Sequence, residues 1–180
     1  MSLKLETKRL SIKPINPDDK ESIFRYRSDK TTNKYQGWIP ETVEDVVTFI
    51  GKTSNVINEP GTWFQFVIVE IESQKIIGDI GVHFLDKENK QAEIGFTLDK
   101  NFQNQGYATE SLKCVINYLF KDLNKHRVIA STDPENLKSI KLLERLGFRR
   151  EAHFVESLYL NGKWVDDLIF AMIEKDWEKI

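Results

Sequence analysis

Apolar and polar side chains alternate from Leu10 to Ile15, the period of a half-buried strand, and Pro14 assigns that segment an edge position or a strand end. A polar-faced helix is expected from Asp18 to about Asp29. The following stretch, Thr31 to Glu41, has loop composition yet carries Tyr35, Trp38 and Pro40. Thr42, with Asp45 three positions on, is a capping pair for a second helix, and Val43, Val46, Val47 and Ile50 fall on one face of it. Phe64 to Ile71 is apolar on both alternating sets, which predicts an interior strand. Lys75 to Phe84, carrying Gly78 and Gly81, is a second strand, and Ala92 to Leu98 a third. In the third, Ala92, Ile94, Phe96 and Leu98 share one face, while Glu93, Gly95 and Thr97 share the other. A polar hairpin turn, Asp86 to Lys90, joins the two.

Helical periodicity takes over from Tyr107 to Asp122, with Ala108, Leu112, Val115, Ile116, Leu119 and Phe120 in one stripe. Arg127 to Thr132 is a short strand. Asp133-Pro134 reads as a helix entry; Ile140, Leu143 and Leu146 line that helix, and Gly147 suits a left-handed end. Phe154 to Leu160 and Lys163 to Ile173 flank Asn161-Gly162, a two-residue hairpin signal. The order is strand, two helices, three antiparallel-type strands, helix, strand, helix, hairpin. It predicts a mixed α/β sheet of about seven strands.

No linker or repeat interrupts the 180 residues, so residues 1–180 are expected to form a single domain. Twenty-six Lys plus Arg against 28 Asp plus Glu leave a formal charge of −2, which gives no electrostatic reason to expect nucleic-acid or membrane binding. One cysteine, Cys114, excludes an intramolecular disulfide, and with three scattered histidines it makes no zinc-ligand cluster. No run of apolar residues is long enough to span a bilayer, and Met1 to Leu10 does not read as a signal peptide. A soluble, cytoplasmic protein without a metal is the expectation.

The chemistry concentrates in Leu98 to Glu110, LDKNFQNQGYATE. A strand ends, a polar loop follows, and Gly106 opens an amphipathic helix. Unpaired N–H groups at such a start, with the positive end of the helix dipole, form a site for phosphate oxygens. Gly106 permits close approach and Ala108 keeps the first turn clear. Neither a P-loop nor a dinucleotide fingerprint is present. The alternative is a plain strand–helix connection whose glycine serves only the turn.

Gln103-Asn104-Gln105-Gly106-Tyr107-Ala108 resembles the Q/R-x-x-G-x-G/A signature of GNAT-superfamily N-acyltransferases. Asn136-Leu137-Lys138-Ser139 and Leu143-Glu144-Arg145-Leu146-Gly147-Phe148 resemble the second cofactor-side motif of the same superfamily. Spacing and element order agree over nearly the whole chain. Within the superfamily the opening ETKRLSIKPI, the Trp38-Ile39-Pro40 loop, the GYATES helix start and the Trp177 ending resemble the RimJ/RimL-type ribosomal-protein N-acetyltransferases, a subgroup that also acts on small amines and antibiotics.

The resemblance implies a mostly antiparallel seven-stranded GNAT sheet with helices on both faces, and acetyl-CoA as acyl donor. It implies cofactor contacts at Phe96, Thr97, Leu98, Gln103, Asn104, Gln105, Gly106, Tyr107, Ala108, Thr109 and Asn136, with the N–H groups around Phe96 to Leu98 also serving the developing oxyanion. The acceptor is a primary amine, foremost the N-terminal α-amine of a ribosomal-type protein. A small amine or antibiotic is the alternative, and a non-catalytic acyl-CoA-binding domain a third. Glu93 matches the subgroup's base; otherwise it is a solvated strand residue paired with a lysine. The tyrosine that many relatives place near the departing sulfur is Leu143 here, so Ser139 is the candidate in its stead, or else a helix residue bonding back to its own turn. Tyr35 and Trp38 either wall the acceptor pocket or anchor their loop.

His83, His126 and His153 are expected to be structural, and Cys114 to be inert. Lys121, Asp122, Lys125, His126 and Arg127 read as a solvated helix end, where a basic group could reach the cofactor's 3′-phosphate. A protein acceptor would be recognised by the Thr31–Glu41 loop and the hairpin around Asn161. Relatives are frequently homodimers, for which Tyr159 and Trp164 offer a surface.

Overall fold

The computed structural model describes residues 3–85 and 87–179. Its elements are β1 (Leu5–Glu6), β2 (Leu10–Pro14), α1 (Lys20–Arg27), α2 (Val43–Lys52), β3 (Trp63–Glu70), β4 (Ile76–Phe84), β5 (Gln91–Leu98), α3 (Tyr107–Lys121), β6 (Arg127–Thr132), α4 (Leu137–Arg145), β7 (Arg149–Leu160), β8 (Lys163–Ile173) and α5 (Glu174–Trp177). The strands form one eight-stranded sheet in the order β1-β2-β3-β4-β5-β6-β8-β7. Every neighbouring pair is antiparallel except β5 and β6. The mixed α/β architecture is the expected one, with the two-residue β1 as an eighth strand.

Both faces of the sheet are covered, which explains why β3 is apolar on both alternating sets. Phe64, Phe66 and Ile68 point into a core with Leu112, Val115, Ile116, Leu119 and Phe120 of α3 and Leu143 of α4. Val67 and Val69, of opposite parity, join Ile23 and Tyr26 of α1 and Val46 of α2. The capping pair at α2 is present: Thr42 Oγ1 accepts from the Asp45 N–H while the Asp45 carboxylate accepts from the Thr42 N–H. Val47 on the same helix is exposed, so the buried stripe is narrower than its sequence suggests.

Three boundaries differ for local reasons. Pro17–Asp19 forms a 3-10 turn capped by Asn16, so α1 starts at Lys20 rather than Asp18. Asp133 Oδ1 accepts from the Glu135 N–H, 2.7 Å, making a turn of its own, and the α4 cap is Asn136. Strand β7 begins at Arg149, well before Phe154, because it pairs with β8 on both sides of an irregularity between Phe154 and Leu158. Gly147 is left-handed as expected (φ 88°). Asp86, the first residue of the expected β4–β5 turn, lies outside the described residues.

The second face holds a buried ionic cluster that no local sequence pattern announces. Asp79 of β4, 1% exposed, accepts two hydrogen bonds from Arg27, Nε at 2.9 Å and Nη2 at 2.5 Å. It also accepts from the Tyr26 hydroxyl, 2.5 Å, and from Gln65 Nε2, 2.7 Å. Asp79→Ala leaves the Arg27 guanidinium buried without its anion. We expect it to lower unfolding free energy by about 3–5 kcal/mol, read as a shift of the urea midpoint, against about 1–2 kcal/mol for Gln65→Ala.

Candidate active site

Strands β5 and β6 pair at Gln91–Arg127, Ala92–Val128 and Glu93–Ile129, and no further. Beyond Glu93, β5 stays paired with β4 through Leu98, while β6 stays paired with β8 through Thr132. The sheet therefore forks, and Glu93 stands at the crotch. On the opened edge the Phe96 carbonyl accepts from Gln36 Nε2, 3.3 Å, and the Leu98 carbonyl from Gln103 Nε2, 3.2 Å. Side-chain amides thus occupy positions that a neighbouring strand would fill, and an amide-bearing chain suits the same edge.

Residues opposite one another across β4 and β5 share a face, so His83 sits beside Glu93, Gly81 beside Gly95 and Asp79 beside Thr97. His83 Nδ1 is 3.7 Å from Glu93 Oε2, and the imidazole stacks on Trp63 with centroids 4.7 Å apart. Burial pushes the Glu93 carboxyl above its ordinary value, against the pull of His83, and the charge of Asp167 pushes the same way as burial. A Cβ placed on Gly95 would meet nothing within 4 Å, so there is open space on that face beside Glu93. The Thr97 hydroxyl is buried without a partner among the described residues. Glu93 is paired not with a lysine but with a histidine, and His83, expected to be structural, belongs to this cluster.

The phosphate-type cradle lies at the end of β5. Asn104 (φ 61°) and Gly106 (φ 84°) are both left-handed, and no side chain caps α3. The first N–H groups of the helix are therefore left without a side-chain acceptor, in a concave turn suited to anionic oxygens. Gln105 Nε2 folds back onto the Asn101 carbonyl, 2.9 Å, and Lys138 Nζ donates to Gln103 Oε1, 3.3 Å. Tyr107 is buried and its hydroxyl donates to Glu70, so only its backbone faces the cradle. Ala108 and Thr109 follow in the first turn, both half-buried.

A brace that no local sequence pattern announces fixes this turn from the β1–β2 connection. Arg9 Nε and Nη2 bind Glu110 Oε2 at 2.8 and 2.6 Å, Nη1 donates to the Gln105 carbonyl at 3.1 Å, and the guanidinium lies 4.2 Å over the Tyr107 ring. Glu110 also accepts from the Thr7 hydroxyl, 2.6 Å. Partial burial pushes the Glu110 carboxyl up, but the Thr7 and Arg9 hydrogen bonds outweigh it and hold it below its ordinary value.

At the second motif, Asn136 Oδ1 accepts the Ser139 N–H, 3.3 Å, and so caps α4. The Ser139 hydroxyl makes no hydrogen bond back to its turn. Leu143, at the position where the family resemblance implies a tyrosine, is a core residue, 0% exposed. The two loop aromatics separate. Tyr35 donates to the Glu135 carbonyl, 3.1 Å, and with Leu160, Asn161 and Val165 lines a cavity of about 220 Å³. Trp38 stacks on Phe49, 4.5 Å, beneath Arg27.

Cys114 is half-buried, and burial pushes its thiol up. Lys125 corrects the expected solvated helix end: it is fully buried, with Nζ on the Asn89 carbonyl and amide oxygens and over Phe84. Lys121 pairs with Glu178 and Arg127 with Glu151. These groups stand a helix length, about 22 Å, from the cradle. His153 pairs with Asp166, 2.6 Å, and the His126 backbone joins the β6 start to Lys90 and Glu174. Among the described residues no His, Cys, Asp or Glu group could hold a metal, and no helix is long and apolar enough to cross a membrane.

Residues 9–149 match the acetyltransferase (GNAT) domain family. The chain belongs to that family. It is 32% identical over 176 residues to the uncharacterized N-acetyltransferase YnaD of Bacillus subtilis, covering 96% of this chain and 98% of that one. A crystal structure of a GNAT-family acetyltransferase from Bacillus anthracis superposes with a TM-score of 0.86 at 29% identity, over 96% and 99% of the two chains. Two relatives are named for their acceptors. Ribosomal protein uS5-alanine N-acetyltransferase of Escherichia coli is 28% identical over 124 residues, 68% of this chain and 64% of that one. Spermidine N(1)-acetyltransferase of Vibrio cholerae is 28% identical over 99 residues, 55% and 57%. This GNAT acetyltransferase has the eight-stranded sheet and five α-helices described above. Acetyl-CoA is the co-substrate of the family, and the uncapped α3 start and the free edge of β5 fit its phosphates and its amide-bearing arm.

Gly106→Ala is expected to cost about 1–2 kcal/mol, because a left-handed backbone penalises a Cβ and that Cβ would lie 3.3 Å from Arg9 Nη2. Coenzyme A affinity, measured by calorimetry, should fall with it. The Glu110 carboxyl, lowered in the fold, stabilises above its unfolded-state pKa, and that contribution is lost as pH falls through its folded value. Glu110→Gln should flatten this acid limb of the stability curve.

Proposed function

We propose that this GNAT enzyme acetylates the N-terminal α-amine of a protein, of the ribosomal type, with Glu93 as the base. The observation that carries the reading is the half-buried Glu93 carboxylate at the fork, raised by burial and facing open space over Gly95. Bound acetyl-CoA supplies an activated thioester, so no covalent enzyme intermediate is needed. Glu93 takes the proton that the amine nitrogen loses as it bonds to the acetyl carbon. Ser139, on the first turn of α4 and with no hydrogen-bond partner for its hydroxyl among the described residues, donates a hydrogen bond toward the departing sulfur. Backbone N–H groups of Phe96 to Leu98 and of the α3 start, with Gln103 to Thr109 and Asn136 around them, hold the donor.

An α-amine, with a pKa near 8, needs less help to lose its proton at neutral pH than a lysine amine near 10.4. The likeness to the uS5-alanine enzyme supports a protein N-terminus. The likeness to the spermidine enzyme and the acidic fork support small polyamines as the second reading. The loop bearing Tyr35 and the hairpin around Asn161 meet in one cavity, which supports their joint role in recognising the acceptor. The cytoplasm is the proposed location. The exposed Phe154, Tyr159 and Trp164 are the proposed homodimer surface.

The test is incubation of the protein with acetyl-CoA and either ribosomal proteins or small amines, with products read by mass. One acetyl gained at a protein N-terminus is expected; acetylation confined to small amines selects the second reading. Coenzyme A bound with no product in either pool would instead indicate a non-catalytic binder. Glu93→Gln should lower kcat by about 10²–10⁴-fold. Since the base must be ionised and burial raises it, the rate should fall on acidification at a pH above the ordinary glutamate value of about 4.3. His83 and Asp167, the titratable groups facing Glu93, set where that limb lies.

A further inference from the structure

Asp167 of β8 is 8% exposed, and no ion pair among the described residues balances its charge. The Ser131 hydroxyl donates to it, and no lysine, arginine or histidine among the described residues is ion-paired with it. Its neighbours show what a settled carboxylate looks like in this protein. Asp79, more deeply buried, has Arg27, and Asp166, next in the chain, has His153. A buried anion held by one neutral donor is unfavourable unless a cation arrives from outside.

The register places this carboxylate on the β6–β8 limb of the fork, on the face that carries Glu93. Glu93 pairs with Ile129 and Ile129 with Ala171, so the three share one row and one face. Asp167 lies four residues from Ala171 along β8, hence on the same face, toward the open end of the fork. At the strand rise that is about 13 Å along the strand direction, with two strand spacings between β5 and β8 across it, and the reach of the two side chains shortens the span. Ser131, two residues beyond Ile129, fixes the Asp167 carboxylate on the side nearer Glu93. Val165, two residues further along β8, lines the cavity that Tyr35 borders.

We infer that Asp167, held by Ser131, seats a second cationic centre of the acceptor, distinct from the amine that meets Glu93. The inference rests on the acetyl-transfer reading and narrows its substrate class to acceptors with two positive charges on a short chain. Two sources share that chemistry: a free diamine, and a peptide N-terminus followed closely by lysine or arginine. The raised Glu93 carboxyl agrees, since the Asp167 charge reaches it. The cavity beyond offers no net competing charge, with Lys34 and Lys163 set against Asp133 and Glu135.

The test compares acceptors in matched pairs: 1,4-diaminobutane with butylamine, and the peptide Ala-Lys-Ala with Ala-norleucine-Ala. For the unaltered enzyme we expect kcat/KM to favour the dicationic member of at least one pair by about tenfold or more, the scale of one charge-assisted bond. The pair that discriminates identifies the source. Asp167→Asn should bring that ratio close to one, and Asp167→Glu should keep most of it. Calorimetry of the same amines with the coenzyme A complex gives a readout independent of turnover. Dication binding that depends on Asp167 without any acetylation would overturn the transfer reading while upholding the cation seat. Equal use of both members of both pairs, or a preference that survives Asp167→Asn, would overturn the seat and leave the transfer reading standing.

Discussion

Two parallel strands that pair for only three residues and then separate impose the chemistry of this molecule. A buried strand edge normally has its N–H and C=O groups satisfied by the next strand. Beyond Glu93 that partner is withdrawn, and the sheet is held open by β4 on one side and β8 on the other. The opened edge must be satisfied by something else. In this structure Gln36 and Gln103 supply amides to the Phe96 and Leu98 carbonyls. The same edge, continued into the uncapped start of α3, is the natural seat for a donor molecule with amides at one end and phosphates at the other.

Keeping a fork open requires stiffness at its flanks. On the α1 side, Arg27, Tyr26 and Gln65 converge on Asp79, directly across β4 from Thr97. At the cradle, Arg9 and Thr7 converge on Glu110 and reach the Gln105 carbonyl. Each network ties a segment near the N-terminus to the strand or helix that carries the site. Both are charge-assisted, so geometry is held more tightly than neutral hydrogen bonds would hold it.

Much of this was legible in the sequence where periodicity is local. The β3, α2 and α3 patterns, the Thr42–Asp45 cap, the left-handed Gly147 and the uncapped glycine at α3 all follow from neighbours a few residues apart. Arg9–Glu110, Arg27–Asp79 and Ser131–Asp167 were not legible, because each joins residues tens of positions apart that only topology brings together. Lys125 misled for the same reason: at the end of an amphipathic helix it reads as solvated, yet Asn89 and the Phe84 ring receive it. His83 was undervalued because its partner, Glu93, faces it across the sheet. For Trp38 the sequence leaves two roles open, and its stack on Phe49, a contact between a loop residue and a helix residue eleven positions apart, is what only the fold reveals.

The central claim is that the fork and the start of α3 together form the donor site. Amide hydrogen exchange with and without coenzyme A tests it most directly. The account predicts added protection at Phe96 and Leu98 and at the first N–H groups of α3, with the β3–β4 pairs unchanged. Protection elsewhere on the molecule, or none at the fork under saturating coenzyme A, would contradict it.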